Sequence, residues 1–162
     1  MKFEVKDDLK SFQFAESGIV ENHMSEGMWE LILQGAIAKY NNPLNTRYED
    51  VFIGTTTLRL YDCTIGRFLK EGFRRYDAND VLIEEVPDEE LDPAAAPAVL
   101  SSIGEGIIFR IFEKESAAAD KRCLEIAVDD GESDTYWMDV YFGGSYVGWD
   151  RFVGPVEQHG AV

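Results

Sequence analysis

Histidine is nearly missing from this chain, with only His23 and His159 present, so a barrel enzyme that grips a transition metal through several imidazoles is excluded by count. Cysteine is equally scarce. Cys63 and Cys123 each fall inside a strand-like run with no metal-ligand neighbours, which favours two buried thiols over a bridge. No apolar run approaches the roughly 18 residues of a membrane span. The start, MKFEVKDDLK, has charges where a signal peptide would need its apolar segment, so a soluble, cytoplasmic protein without a membrane partner is expected.

The phosphate-binding glycine patterns are absent too. Gly104-Glu-Gly106 lacks the third glycine of a dinucleotide loop, and no G-x-x-x-x-G-K-[ST] stretch occurs. Gly143-Gly-Ser-Tyr-Val-Gly148 misses the spacing of a serine-nucleophile elbow and reads as a turn. His23 with Glu26 has a metal-like spacing of three but falls in a loop in this reading, so no cofactor and no metal site is expected. Basic residues are also in deficit: 15 Lys and Arg against 31 Asp and Glu give a formal net charge of −16. Nucleic acid needs a basic stripe that displaces counterions from phosphates, so polyanions are expected to be repelled.

What the chain has in quantity is acid and strand pattern. Asp77, Asp80, Glu84, Glu85, Asp88, Glu89, Glu90 and Asp92 follow one another with no base between them, a candidate patch for a basic partner. The plainer reading is an edge kept in solution by charge. Arg67, Lys70, Arg74 and Arg75 lie just upstream, placed to pair with part of the run across a hairpin.

At 162 residues, with 45% hydrophobic content, one domain spanning 1–162 can build a true core. Period-two alternation dominates and predicts an all-β fold: an antiparallel sandwich or barrel of about eight strands. Ser11–Ala15 and Met28–Tyr40 are expected to form a long hairpin around a polar loop, and Val51–Tyr61 a third strand. Residues 63–73 read as a strand and 73–86 as a hairpin. Strands are expected again over 106–113, 122–128 and 135–142. The acidic, Ala/Pro-rich stretch 87–102 reads as a connection. Within it Asp92 before Pro93 predicts the N-cap of a short helix near 93–101, limited by Pro97. The spacing of Trp149, Phe152 and Val153 suggests a second short helix over 146–153, or else an edge strand.

The stretch Val128–Thr135, VDDGESDT, holds four carboxylates, Asp129, Asp130, Glu132 and Asp134, in the manner of a calcium loop. Its glycine comes too early for an EF-hand, and strands rather than helices flank it. Asp-Gly between alternating runs is a hairpin signal. Parity bears on the loop length and disfavours the two-residue Asp130-Gly131 turn unless both faces are buried. The apolar sets Leu124, Ile126, Val128 and Tyr136, Met138, Val140, Phe142 are all even-numbered, so they share a face only if the loop has an odd number of residues. A loop of Gly131, Glu132 and Ser133 sets Glu125 opposite Asp139, between Trp137 and Tyr141. A shift by two residues would set Glu125 against Trp137 instead.

Glu125, Trp137, Asp139 and Tyr141 therefore form a candidate ligand or partner surface, aromatics beside carboxylates suiting sugar rings or basic side chains. The competing reading is a second packed layer with Arg110 or Lys121 as the counter-charge. Three functions follow. The first is a non-catalytic binding module engaging a basic protein, with the charge character of an acidic inhibitor or immunity-type partner of a basic toxin. The second is a small-molecule or sugar-binding sandwich or barrel, in which Glu125 and Asp139 could serve a hydrolase as acid and base. The third is a homo-oligomeric, structural role.

Overall fold

The computed structural model describes residues 1–156 and is built mostly from antiparallel strands, in sheets that do not close. Sixteen strands are present, several of them only two residues long: β1 (Phe3–Lys6), β2 (Phe12–Gln13), β3 (Gly18–Ser25), β4 (Met28–Gln34), β5 (Ile37–Ala38), β6 (Val51–Ile53), β7 (Thr56–Tyr61), β8 (Thr64–Lys70), β9 (Phe73–Tyr76), β10 (Leu82–Val86), β11 (Glu89–Glu90), β12 (Gly106–Lys114), β13 (Arg122–Asp129), β14 (Thr135–Phe142), β15 (Gly144–Trp149) and β16 (Phe152–Pro155). One helical segment interrupts them, a 3-10 turn over Pro93–Ala95 that leads into α1 (Ala96–Ser101).

Ten strands form one sheet in the order β1-β15-β7-β4-β3-β12-β13-β14-β8-β11. Its seam is narrow: β3 and β12 pair only through Gly106 with Ile19 and Ile107 with Gly18. Five strands lie on each side of that seam, and the inner faces share a single core, which gives the fold its sandwich-like character. Trp29, Leu31, Leu33, Leu58, Leu60 and Val147 contribute from one half, and Phe68, Ile108, Leu124, Ile126, Met138, Val140 and Phe142 from the other. Their even spacing along each strand is the alternation that the sequence displays.

A smaller sheet, β16-β6-β5-β2, brings an aromatic cluster against the core. Trp149 stacks on Phe3 at 5.5 Å and meets the edges of Phe12 at 5.4 Å and Phe152 at 5.8 Å. Such offset and edge-on arrangements suit the ring quadrupoles. Segment 51–61, expected as one strand, is two strands in different sheets, split at Gly54-Thr55. Segment 28–40 divides likewise at Gly35, whose φ of 88° is a left-handed turn that glycine adopts without steric cost.

Two expectations are overturned. Residues 18–25, expected as a loop, are strand β3, hairpinned tightly to β4 through Ser25 and Met28, while β2 pairs with β5 in the other sheet. His23 is accordingly a strand residue, exposed beside Glu21, and not part of a loop site. A bulge between Ile19 and Glu21 breaks the alternation of β3, and Asn22 stands where an apolar residue would. Its amide donates to the Leu100 carbonyl at 3.1 Å, tying α1 to the strand. Of the two readings of residues 146–153, the short helix is absent and the strand is present, with β16 at the edge of the smaller sheet. Residues 144–149 are β15, flanked by β1 and β7, and residues 152–155 are β16; Gly148 sits against the Tyr146 ring, too close for any side chain.

The helix near 93–101 forms where expected. Asp92 accepts the Ala94 N–H at 2.9 Å, and because α1 starts afresh at Ala96, Pro97 falls in its first turn and costs no hydrogen bond. The connection 87–102 also includes β11, which continues the main sheet beside β8. Both cysteines are unpaired, Cys123 buried and Cys63 half-buried. Among the described residues no helix is long and apolar enough to cross a membrane.

The contrast between core and surface phenylalanines gives a direct test. Phe68 is fully buried, so Phe68→Ala should cost about 3–5 kcal/mol of unfolding free energy. Phe73→Ala, at a side chain that water already reaches, should change it by no more than about 0.5 kcal/mol. Urea denaturation of both variants against the parent chain measures the difference.

Candidate functional site

The outward face of the half-sheet β12-β13-β14-β8-β11 carries the candidate surface, and the β13–β14 register sets it. Val128 pairs with Tyr136, Ile126 with Met138, Leu124 with Val140 and Glu125 with Asp139, as the odd-length loop requires. The loop closes through the Asp130 N–H donating to the Asp134 carbonyl at 2.9 Å, which leaves Gly131, Glu132 and Ser133 at its tip. Gly131 has φ of 80°, and a Cβ there would lie 2.5 Å from the Glu105 carbonyl oxygen, so both backbone and neighbour demand glycine.

The carboxylates of VDDGESDT hold the loop itself. Asp129 accepts the Gly131 N–H at 2.8 Å. One oxygen of Asp130 accepts from Glu132, Ser133 and Asp134 at 2.8, 3.0 and 3.0 Å. Burial pushes the Asp130 carboxyl up, but these three N–H donors outweigh it and hold the group below its usual range. Asp134 ion-pairs with Lys70 at 3.4 Å. Among the described residues no three His, Cys, Asp or Glu side chains gather as a metal ion would require.

Glu125 and Asp139 are opposed but not uncompensated. Lys114, on β12 two pairs beyond Phe112, which pairs with Glu125, reaches Asp139 at 2.6 Å and Glu125 at 3.3 Å. The hydrogen bond to Asp139, joined by that to Glu125, raises the ammonium above its ordinary value. Neither suggested counter-charge plays this part. Arg110 pairs across from Ala127 and lies over the Phe112 ring at 4.8 Å, and the salt bridges to Glu125 and Asp139 both come from Lys114. The expected strand 106–113 ended one residue short of Lys114, and the bulge between Ile108 and Arg110 hides which β12 residues share a face with Glu125.

The two aromatics separate. Tyr141 packs over Gly66, where a Cβ would sit 2.6 Å from the ring, and pairs across from the buried Cys123. It belongs to a local packed layer. Trp137 pairs with Leu69 on β8 and with Ala127 on β13, and one side of it stays open. There Trp137, Glu125, Asp139, Met138, Arg67, Leu69, Glu71 and Asp88 line a groove of about 230 Å³.

The acidic run is distributed along the sheet edge. Glu84, Glu85 and Glu90 pair with Arg75, Arg74 and Arg67 at 3.4, 3.1 and 3.1 Å. Asp77 accepts the Asn79 and Val81 N–H groups, Asp88 that of Gly72, and Asp92 caps the helical segment. Asp80 and Glu89 are exposed. Of these eight acids, Asp88 lines the groove, joined by Glu71, which the sequence reading passed over.

Comparison with protein-family models, with curated proteins and with solved structures finds no match for the chain.

The Lys114 bridge generates a prediction about pH. Lys114→Met leaves Glu125 and Asp139 facing each other with no cation, and should destabilise the fold by about 1 kcal/mol, a figure kept small because the lysine is 34% exposed. A raised lysine contributes fully below its unfolded value, about 10.4, and loses that contribution as pH rises through the folded value. The stability gap between variant and parent should therefore hold at neutral pH and narrow above about pH 10.4, as denaturant melts across that range would show.

Proposed function

We propose that the chain is a non-catalytic binding module of the cytoplasm that engages a basic protein, with the Trp137 groove as its anchor point. The observation that carries this reading is convergence. Trp137, Glu125 and Asp139 on one hairpin, and Asp88 from the acidic stretch some 40 residues earlier, line the same groove. An arginine or lysine side chain of the partner lays its cation against the Trp137 ring, with the Glu71 and Asp88 carboxylates lining the same groove. The net charge of −16 steers such a partner from a distance and raises its rate of encounter.

The hydrolase reading has less support. An acid and base pair needs one carboxylate free to hold a proton and one free to take it, whereas Lys114 binds both Glu125 and Asp139. Cys63 offers no nucleophile in its place, since burial pushes its thiol up to about 11 and keeps it protonated at neutral pH.

Affinity capture from lysate at low and high salt tests the proposal. Basic proteins should be retained at low salt and released at high salt. Glu71→Lys, on an exposed side chain, should lower their affinity about tenfold and flatten the salt dependence while leaving thermal stability unchanged. Recovered partners that are neither basic nor salt-sensitive, or that bind the Glu71→Lys chain equally well, count against it.

A further inference from the structure

The main sheet and the smaller sheet part beside β12 and leave an opening. Ile108 is still tied across it, its carbonyl accepting from the Glu16 N–H at 2.7 Å and its N–H donating to the Ser17 carbonyl at 3.0 Å. β12 then runs on to Lys114 paired with β13, while β2 forms the rim of the smaller sheet with β5 as its neighbour. Between these two edges lies a pocket of about 280 Å³. The buried Leu9, Phe12, Phe14 and Leu124 line it, joined by the more open Ile111 and Phe112. Small-molecule sites begin at roughly 300 Å³, so this one suits a small ligand.

We infer that this pocket binds a small carboxylate with an apolar tail, the tail against the phenylalanines and the head group at Lys10 and Lys39. The charges select an anion. The β2–β5 pairing brings the two lysines together, with the Lys39 N–H donating to the Ser11 carbonyl at 2.8 Å, and both line the pocket. Among the described residues no carboxylate forms an ion pair with either. In a chain of 31 acids and 15 bases, two lysines left without an acid at one apolar pocket mark a place for a negative charge. Glu113 is the one acid that lines the pocket among the described residues, and Arg122 binds both of its carboxylate oxygens. Asp8 and Glu16 adjoin Leu9 and Ala15 in the sequence but do not line the pocket.

The net charge of −16 repels anions at long range. Exposed charges more than about 8 Å away are largely screened at physiological salt, so the nearest cations decide which head group is held. Burial of the tail supplies affinity in proportion to its apolar area, and the ammonium groups supply the preference for a carboxylate over a neutral head. The site is separate from the Trp137 groove. Leu124 lines this pocket and Glu125 the groove, and neighbours along a strand point to opposite faces.

Octanoate, octanol and octylammonium share a tail and differ in the head group, and nuclear magnetic resonance of the labelled full chain titrated with each tests the inference. Octanoate should shift the signals of Leu9, Phe12, Ile111 and Leu124 and saturate them, with octanol bound at least about tenfold more weakly and octylammonium more weakly still. Lys10→Glu, on an exposed side chain, should weaken octanoate about tenfold and leave octanol unchanged. Adding Lys39→Glu in the same chain should turn the preference toward octylammonium. Glu71→Lys, which alters the groove, should leave octanoate binding as it is, so the two proposals fail separately. No saturable binding of octanoate, equal binding of octanoate and octanol, signals that move elsewhere, or a Lys10→Glu chain that binds octanoate as the parent does would each overturn the inference.

Discussion

Everything on the candidate surface depends on one register, that of β13 against β14. Side chains in a strand alternate between faces, so a slip of one residue would send Leu124, Ile126 and Val128 outward and bury Glu125 and Asp129. The observed pairing puts Met138, Val140 and Phe142 in the core with them. The hydrophobic effect is therefore what holds two carboxylates opposite each other on the far side. Their repulsion is a local cost of the core, relieved by Lys114 from the next strand.

That hierarchy recurs along the sheet edge. A chain with twice as many acids as bases must place its bases with care, and Arg67, Arg74 and Arg75 meet Glu90, Glu85 and Glu84 across the β8–β11 and β9–β10 ladders. These exposed pairs add little to stability, and their larger effect is on what can approach. They balance the charges of the β9–β10 ladder, while Asp77 and Asp80 stay at its tip and Glu71 and Asp88 line the groove at its base. One edge thus presents two surfaces, a ribbon of exposed apolar side chains and paired charges and an acidic groove lined by Trp137 and Leu69.

Alternation carried most of the β13–β14 hairpin into view before any coordinates, because both faces of those strands differ sharply in polarity and the odd loop follows from parity alone. The strand reading of 63–73 meets β8, and turn residues and the Asp92-Pro93 cap disclosed the β9–β10 hairpin and the short helix. Alternation failed at β3, where a bulge and Asn22 remove the period, and left 146–153 open between a helix and an edge strand, because the spacing of Trp149, Phe152 and Val153 fits both. For the site, Glu125 and Asp139 were legible as partners, whereas Lys114 was not, since its position depends on how β12 is bulged and paired. The groove was not legible either. It arises only when β8 docks on β14 and brings Leu69, Glu71 and Asp88 beside Trp137, a contact between segments some 70 residues apart.

The register can be observed directly. Asp130 with Asp134 is a hydrogen-bonded pair, so with unbroken alternation Glu125 with Asp139 and Ala127 with Trp137 are non-hydrogen-bonded pairs, whose α-protons approach most closely. Nuclear Overhauser spectra of the labelled chain should show strong α-proton contacts for 125 with 139, 127 with 137 and 129 with 135. A strong contact between 125 and 137 in their place would mean a two-residue slip. Such a slip would part Glu125 from Asp139, remove the reason for the Lys114 bridge and contradict the account of this surface.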